Sequence, residues 1–192
     1  IHSAAGGVGQ LLTQIAVHQQ CEVFAVAHGA EKMAYLKKLG AHHVIDRKEG
    51  DYEEHIRKLL GKERLDVSFN AVGGTTFKKD LRLLGSGGAV LLFGGAERSD
   101  GALSSLRFVW NMGLIIPIFL MMQCKSLVGV NMLRLSEHRP LIVAACMKGA
   151  LGAMQEGWLK PRVDQLFAKE QLPQALELLG SGKSIGKVAV KW

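Results

Sequence analysis

With 192 residues, 48% of them apolar and 21% charged, the chain can bury a substantial core and has neither the low hydrophobicity nor the high net charge of a disordered segment. Its net charge of +7 suits a solvated surface and a site for phosphates, while no basic motif interleaved with aromatics points to nucleic acid. Three widely spaced cysteines, Cys21, Cys124 and Cys146, exclude a disulfide framework, and no Cys/His cluster has the spacing of zinc ligands.

Ile1 to Ser3 reads as the last turn of a strand whose beginning precedes the sequence, so an upstream segment is expected. From Gly7 to Gln19, Val8, Leu11, Leu12, Ile15 and Ala16 recur at helical spacing. Cys21 to Ala27 is an apolar run with β-branched and aromatic members, the pattern of a buried parallel strand. A helix over Ala30 to Leu39 closes at Gly40, a strand follows at His43 to Asp46, and a helix runs from Asp51 to Leu60. Leu65 to Ala71 is a strand, Thr75 to Leu84 a helix and Gly88 to Gly94 a fifth strand. This alternation predicts an α/β protein with a doubly wound parallel sheet, the Rossmann fold. Beyond Gly95 come a polar loop, an apolar segment from Phe108 to Met122 and a sixth strand over Lys125 to Val130. The apolar segment is too short to span a bilayer and is interrupted by Asn111 and Pro117, so a buried helix or pocket wall is expected. A long helix from Pro140 to Glu156 completes a dinucleotide-binding domain over residues 1–156. The tail, 157–192, holds two short strands around a helix at Leu172 to Leu179 and breaks the alternation.

Ser3-Ala4-Ala5-Gly6-Gly7-Val8-Gly9 stands between a strand end and a helix and matches the dinucleotide fingerprint with Ala4 in place of its first glycine. A small residue permits the tight turn, Gly6 admits the diphosphate and Gly9 allows helix and strand to pack closely. The helix start then offers free N–H groups and a partial positive charge. An NAD enzyme places an acid near the end of its second strand, whereas this chain reads Ala27-His28-Gly29-Ala30-Glu31-Lys32. Lys32, His28 and, past the third strand, Arg47 favour a 2′-phosphate, hence NADP(H) over NAD(H).

HSAAGGVGQLLTQIA, LGAHHVIDRKEGDYEEHIRKL, LDVSFNAVGG, LLGSGGAVLLFGGA, SLVGVNMLRL and the closing IGKVAVKW, taken in order, resemble the medium-chain dehydrogenases/reductases. Within that superfamily the likeness is to the zinc-free quinone oxidoreductase and VAT-1-like branch. The resemblance implies cofactor contacts from Ala5, Gly6, Gly7, Val8 and Gly9 at the diphosphate and from Gly29, Lys32 and Arg47 at the adenosine ribose. Thr76 would approach from the fourth helix, and Phe93, Gly94, Gly95, Ala96, Val130, Asn131 and Met132 would flank the nicotinamide. It implies a catalytic domain of the GroES type, largely outside these residues, to which the tail returns. It also implies a homodimer through the edge of the sixth strand and no metal, while the odd, widely spaced cysteines point to a reducing compartment, the cytoplasm, and no membrane span is expected. The expected reaction is hydride transfer from NADPH to a quinone or an enone. No catalytic acid or base can be named. Three other readings stay open: the enoyl reductase segment of a larger synthase, a zinc-dependent alcohol dehydrogenase, and a nucleotide-binding module without turnover.

Overall fold

The computed structural model describes residues 1–95 and 102–192, with only the backbone of 102–105. In chain order the elements are α1 (Gly9–His18), β1 (Phe24–Ala27), α2 (Ala30–Lys38), β2 (His43–Asp46), α3 (Tyr52–Leu60), β3 (Leu65–Asn70), α4 (Thr75–Leu83) and β4 (Leu84–Leu92). They continue with α5 (Ala102–Met112), α6 (Pro117–Met122), β5 (Ser126–Gly129), α7 (Met132–His138), α8 (Pro140–Gln155), β6 (Val163–Ala168), α9 (Leu172–Ser181) and β7 (Lys187–Lys191). Among the described residues every strand pairing is parallel. Parallel neighbours need a crossover between them, and α2 and α4 supply it for β1–β2 and β3–β4.

The chain divides into two compact units. The first comprises Ile1, Ser3–Arg47 and Ala144–Trp192. In it, β1 pairs with β2 from Phe24↔His43 to Ala27↔Asp46. All four residues of β1 are buried, as its unbroken apolar run requires. Ile1 O accepts from Val26 N and Ala4 N donates to Val26 O, so the opening residues lie along β1 without forming a strand of their own. Ala4, Ala5, Val23, Ala25, Ala27, Leu36, Ala41 and Ile185 form the core. Small residues dominate it, which brings backbone close to backbone around the turn before α1. The tail belongs to this unit: β6 pairs with β7, and Gly186 N donates to Ala5 O.

The second unit comprises His2 and Lys48–Val143, with strand order β3-β4-β5. Its core gathers Phe77, Leu84 and Val90, with Leu65, Leu81, Leu92, Met112, Ile115 and Leu127 packed around them. Asp51 caps α3, its side chain accepting from Glu53 N at 2.9 Å, which satisfies one of the free donors of the first turn. β4 begins at Leu84 rather than Gly88, because Leu84 pairs with Leu65 ahead of the irregularity in the ladder. The apolar segment around Pro117 meets expectation only in part. It forms α6, which has no buried residue, and Leu114 is 89% exposed. Apolar composition marks such a segment for burial; Met112 and Ile115 do pack against the core, and Ile115, Ile116, Phe119 and Leu120 line a pocket with Lys78 and Leu81, while the rest of the segment stays exposed.

Candidate functional site

The turn before α1 is built by close approach. A Cβ on Gly9 would lie 2.3 Å from Ser3 O and 2.7 Å from Ala4 Cα, so only glycine lets the helix sit on the preceding segment. Gly6 N donates to Ser3 O at 2.9 Å, Gln10 N to Gly6 O and Leu12 N to Val8 O. Among the described residues the amides of Val8 and Gly9 have no partner, leaving N–H groups at the start of a ten-residue helix. Ala5 and Ala4 beneath them are buried.

Lys187 and Gln10 enter this turn without any local signal in the sequence. Lys187 lies over Gly7, where an added Cβ would meet its Cδ at 2.7 Å and its Nζ at 3.0 Å. The Gln10 side chain is wholly buried; its Oε1 accepts from Arg162 N at 3.1 Å and Tyr35 OH at 2.6 Å, and its Nε2 donates to Arg162 O. Gln14 does the same one turn later, accepting from Lys160 N and donating to Lys160 O. These two amides tie the tail to α1 and thereby hold Lys187 at the turn.

Gly29, Lys32 and Arg47 collect at the carboxyl ends of β1 and β2. Gly29 has φ of +101° and precedes α2, a backbone conformation that favours glycine, with open space where a side chain would stand. Arg47 N donates to Ala27 O at 2.9 Å. Lys32 Nζ donates to Gly182 O; partial burial and the charge of Arg47 hold its ammonium below the usual lysine range, against the opposing pull of Asp164. Asp46 ends β2 as expected, and its carboxylate reaches across to the β1–α2 turn, meeting His28 Nδ1 at 2.8 Å and Gly29 N at 3.3 Å.

In the second unit the carboxyl ends of β3, β4 and β5 come together. Phe93 N donates to Asn70 O and Val130 N to Leu92 O. A Cβ on Gly94 would lie 2.6 Å from Ala71 O, and Phe108 rests against Gly73 and Gly95. Asn131 caps α7 by accepting from Arg134 N at 3.1 Å, and Met132 is exposed. Thr76 Oγ1 donates to Gly73 O at 2.7 Å and accepts from Asn70 Nδ2 at 2.9 Å, so its hydroxyl is committed to the loop. Ala96 lies outside the described residues.

Below this loop is a buried polar cluster centred on Asp80. Its carboxylate accepts from His2 Nε2 at 2.9 Å, Ser68 Oγ at 2.8 Å and Asn70 Nδ2 at 2.6 Å, with Tyr52 OH at 3.0 Å. Burial opposes the charge, but His2, Ser68 and Asn70 outweigh it and hold the carboxyl below the usual range. Burial first, and then the Asp80 charge, pushes the Tyr52 hydroxyl far above its ordinary value. With its other end, Asn70 Oδ1 accepts from Val72 N and Gly73 N, so the cluster fixes the loop leading into α4.

A family model described as zinc-binding dehydrogenase matches residues 7–144. The chain belongs to that family, on the quinone oxidoreductase and VAT-1-like branch of the medium-chain dehydrogenases/reductases. It is 29% identical to the quinone oxidoreductase of Pongo abelii over 184 residues, 95% of this chain and 51% of that protein. It is 30% identical to the synaptic vesicle membrane protein VAT-1 homolog of Rattus norvegicus over 193 residues, 98% of this chain and 47% of the relative. The chain thus spans about half the length of the curated relatives it matches. Among solved structures, Escherichia coli quinone oxidoreductase complexed with NADPH superposes with a TM-score of 0.80 at 22% identity, covering 98% of this chain and 55% of that one. The fold of this medium-chain dehydrogenase/reductase is therefore the Rossmann-like one of the superfamily's cofactor-binding domain. Among the described residues, no three His, Cys, Asp or Glu side chains converge as a metal site, and no helix is long and apolar enough to cross a membrane.

Proposed function

We propose that this chain is the NADPH-binding part of an oxidoreductase that delivers hydride to a quinone or an activated carbon–carbon double bond without a metal. The observation that carries this is the pair of unpartnered amides at Val8 and Gly9, at the head of a helix that Gly9 alone allows to lie so close. They suit a diphosphate, with Ala5, Gly6 and Gly7 forming the rest of the turn and the Lys187 ammonium within reach of the same oxygens. Lys32 and Arg47 suit the 2′-phosphate, beside the open backbone of Gly29. Phe93, Gly94, Gly95, Ala96, Val130, Asn131 and Met132, at or beyond the strand ends of the second unit, are proposed to flank the nicotinamide, with Thr76 positioned by Asn70. When bound, reduced nicotinamide supplies the hydride, while these residues bind and orient it.

The substrate pocket, the acceptor and the catalytic groups are assigned to the rest of the protein. The tail from Gly157 is proposed to be shared with a catalytic domain, and the free edge of β5 to pair with its twin in a homodimer. Three free cysteines suit a reducing compartment, here the cytoplasm.

Calorimetric titration with NADPH and NADH tests the cofactor. Lys32→Ala should weaken NADPH about tenfold or more, the loss of one charge-assisted hydrogen bond, and leave NADH within about twofold. Equal loss for both cofactors would refute the assignment of the 2′-phosphate site. Assay of the full-length protein against a panel of quinones and enones then identifies the acceptor.

A further inference from the structure

The second unit holds a groove that the nucleotide reading does not use. On α4, Lys78, Leu81 and Arg82 fall at i, i+3 and i+4 and so share one stripe of the helix. Ile115, Ile116, Phe119 and Leu120 line the other side, and Lys125, just before β5, completes the lining. The space between them measures about 270 Å³. We infer that this groove between α4 and α6 is a binding site for a medium-chain fatty carboxylate, its chain lying along the apolar walls and its head among the three cations. Lys125 precedes β5 and Val130 follows it, so at about 3.3 Å per residue the head lies roughly 16 Å from the residues proposed to flank the nicotinamide. The site is therefore separate from the cofactor and does not rest on the NADPH reading.

Charge selects the head. No acid lines the groove among the described residues, whereas Lys78, Arg82 and Lys125 all do. The Lys78 side chain lies over Gly113, and its ammonium has no hydrogen-bond partner among the described residues. Arg82 gives Nε and Nη2 to Glu53, which leaves Nη1. Lys125 Nζ spends one of its three hydrogens on Leu81 O at 2.6 Å. Burial first, and then the charges of Arg57 and Arg64, hold this ammonium below the usual lysine range, so every neighbouring charge acting on it is positive. A neutral apolar ligand would leave these cations facing its chain, and a small anion would leave the apolar walls wet. A chain with an anionic head satisfies both. Volume sets the length: at roughly 30 Å³ for a water-sized group, the groove takes about nine chain carbons, the chain of a ten-carbon acid.

The test is calorimetric titration of the protein with decanoate, with decanol and with saturated carboxylates of six to fourteen carbons. Decanoate should bind one to one, and decanol at least about tenfold more weakly. Each methylene up to ten carbons should tighten binding by up to about fourfold, after which the gain should level off because the groove is full. Lys125→Met should weaken decanoate about tenfold and the more exposed Lys78→Met about threefold, with decanol unchanged within about twofold. Phe119→Ala should weaken decanoate and decanol alike, by about fivefold. Arg134→Met, on α7 outside the groove, should leave both within about twofold. Urea unfolding of each variant reports whether the fold survives, and saturating NADPH should leave the decanoate Kd within about twofold. Binding lost to NADPH would put the carboxylate in the cofactor site and overturn the proposal. So would decanol binding as tightly as decanoate, or affinity that keeps rising to fourteen carbons. Flotation with phosphatidylglycerol vesicles without heat from decanoate would overturn it in favour of a membrane surface. A dimer in sedimentation that takes up no decanoate would overturn it in favour of a second copy over α6.

Discussion

Gly9→Ala puts the packing of the phosphate turn to a direct test. The new methyl would lie 2.3 Å from Ser3 O, 2.7 Å from Ala4 Cα and 2.9 Å from Ala4 C, all backbone atoms that cannot rotate away. Ordinary contact requires α1 to retreat by roughly 1 Å, and overpacking of this kind costs about 1–3 kcal/mol. We expect a loss of about 2–3 kcal/mol, at the upper end of that range because the obstacle is rigid. Its neighbours provide graded controls. Gly6→Ala meets Ser3 O at 3.1 Å, a tight contact that a small shift relieves, and should cost about 1 kcal/mol. Gly7→Ala meets first the flexible end of the Lys187 side chain, which can swing away, and should change stability by less than about 0.5 kcal/mol. None of the three glycines has a positive φ, so the clash and not backbone strain decides the order. Urea unfolding followed by circular dichroism measures it, and NADPH titration of each variant should show Gly9→Ala failing to bind. A Gly9→Ala protein as stable as wild type, or an order in which Gly7→Ala is the worst, would refute the reasoning.

Lys187→Ala should weaken NADPH and NADH alike by about tenfold, because a diphosphate is common to both, and so leave their ratio unchanged; a selective effect would move Lys187 to the ribose end. Asp80→Ala strands His2, Ser68, Asn70 and Tyr52 in the interior and should cost about 3 kcal/mol or more in urea unfolding, a loss under 1 kcal/mol showing that the cluster relaxes. Asp80 and Glu53 both have depressed carboxyl values, Glu53 chiefly through Arg82. Their contribution is therefore complete above the unfolded carboxylate range and lost as pH falls through the folded values. The urea midpoint should hold from pH 7 to about 5 and drop below about 4, with a shallower drop in Asp80→Asn; a flat profile would contradict the assignment.

What the sequence could disclose was local. The apolar run of β1, the helix closed by Gly40 and the strand-glycine-helix order around Gly9 each depend on neighbours within a few residues, where periodicity and turn chemistry act. Asp80 carries no such mark. It reads as one acid among others on α4, because its partners His2, Tyr52 and Ser68 come from three other segments. Lys187 at Gly7 and Asp46 at His28 are hidden for the same reason. The first half of α5 and the whole of α7 lie where the pattern gives a polar loop and a strand end, and Asn131, expected beside the nicotinamide, also caps α7. Burial of the 108–122 segment was inferred from composition, which records what a side chain would prefer and not what stands opposite it.

Gly6 forms an isolated parallel bridge with Gly186, and Gly186 N donates to Ala5 O. The loop between these partners is nearly as long as the whole chain, so closing it is entropically late. During synthesis, α1 can emerge and coil long before the strand that braces its front end exists. Competence to grip a nucleotide should accordingly arrive only after the segment around Gly186 has emerged, and in refolding it should lag behind the recovery of helical signal.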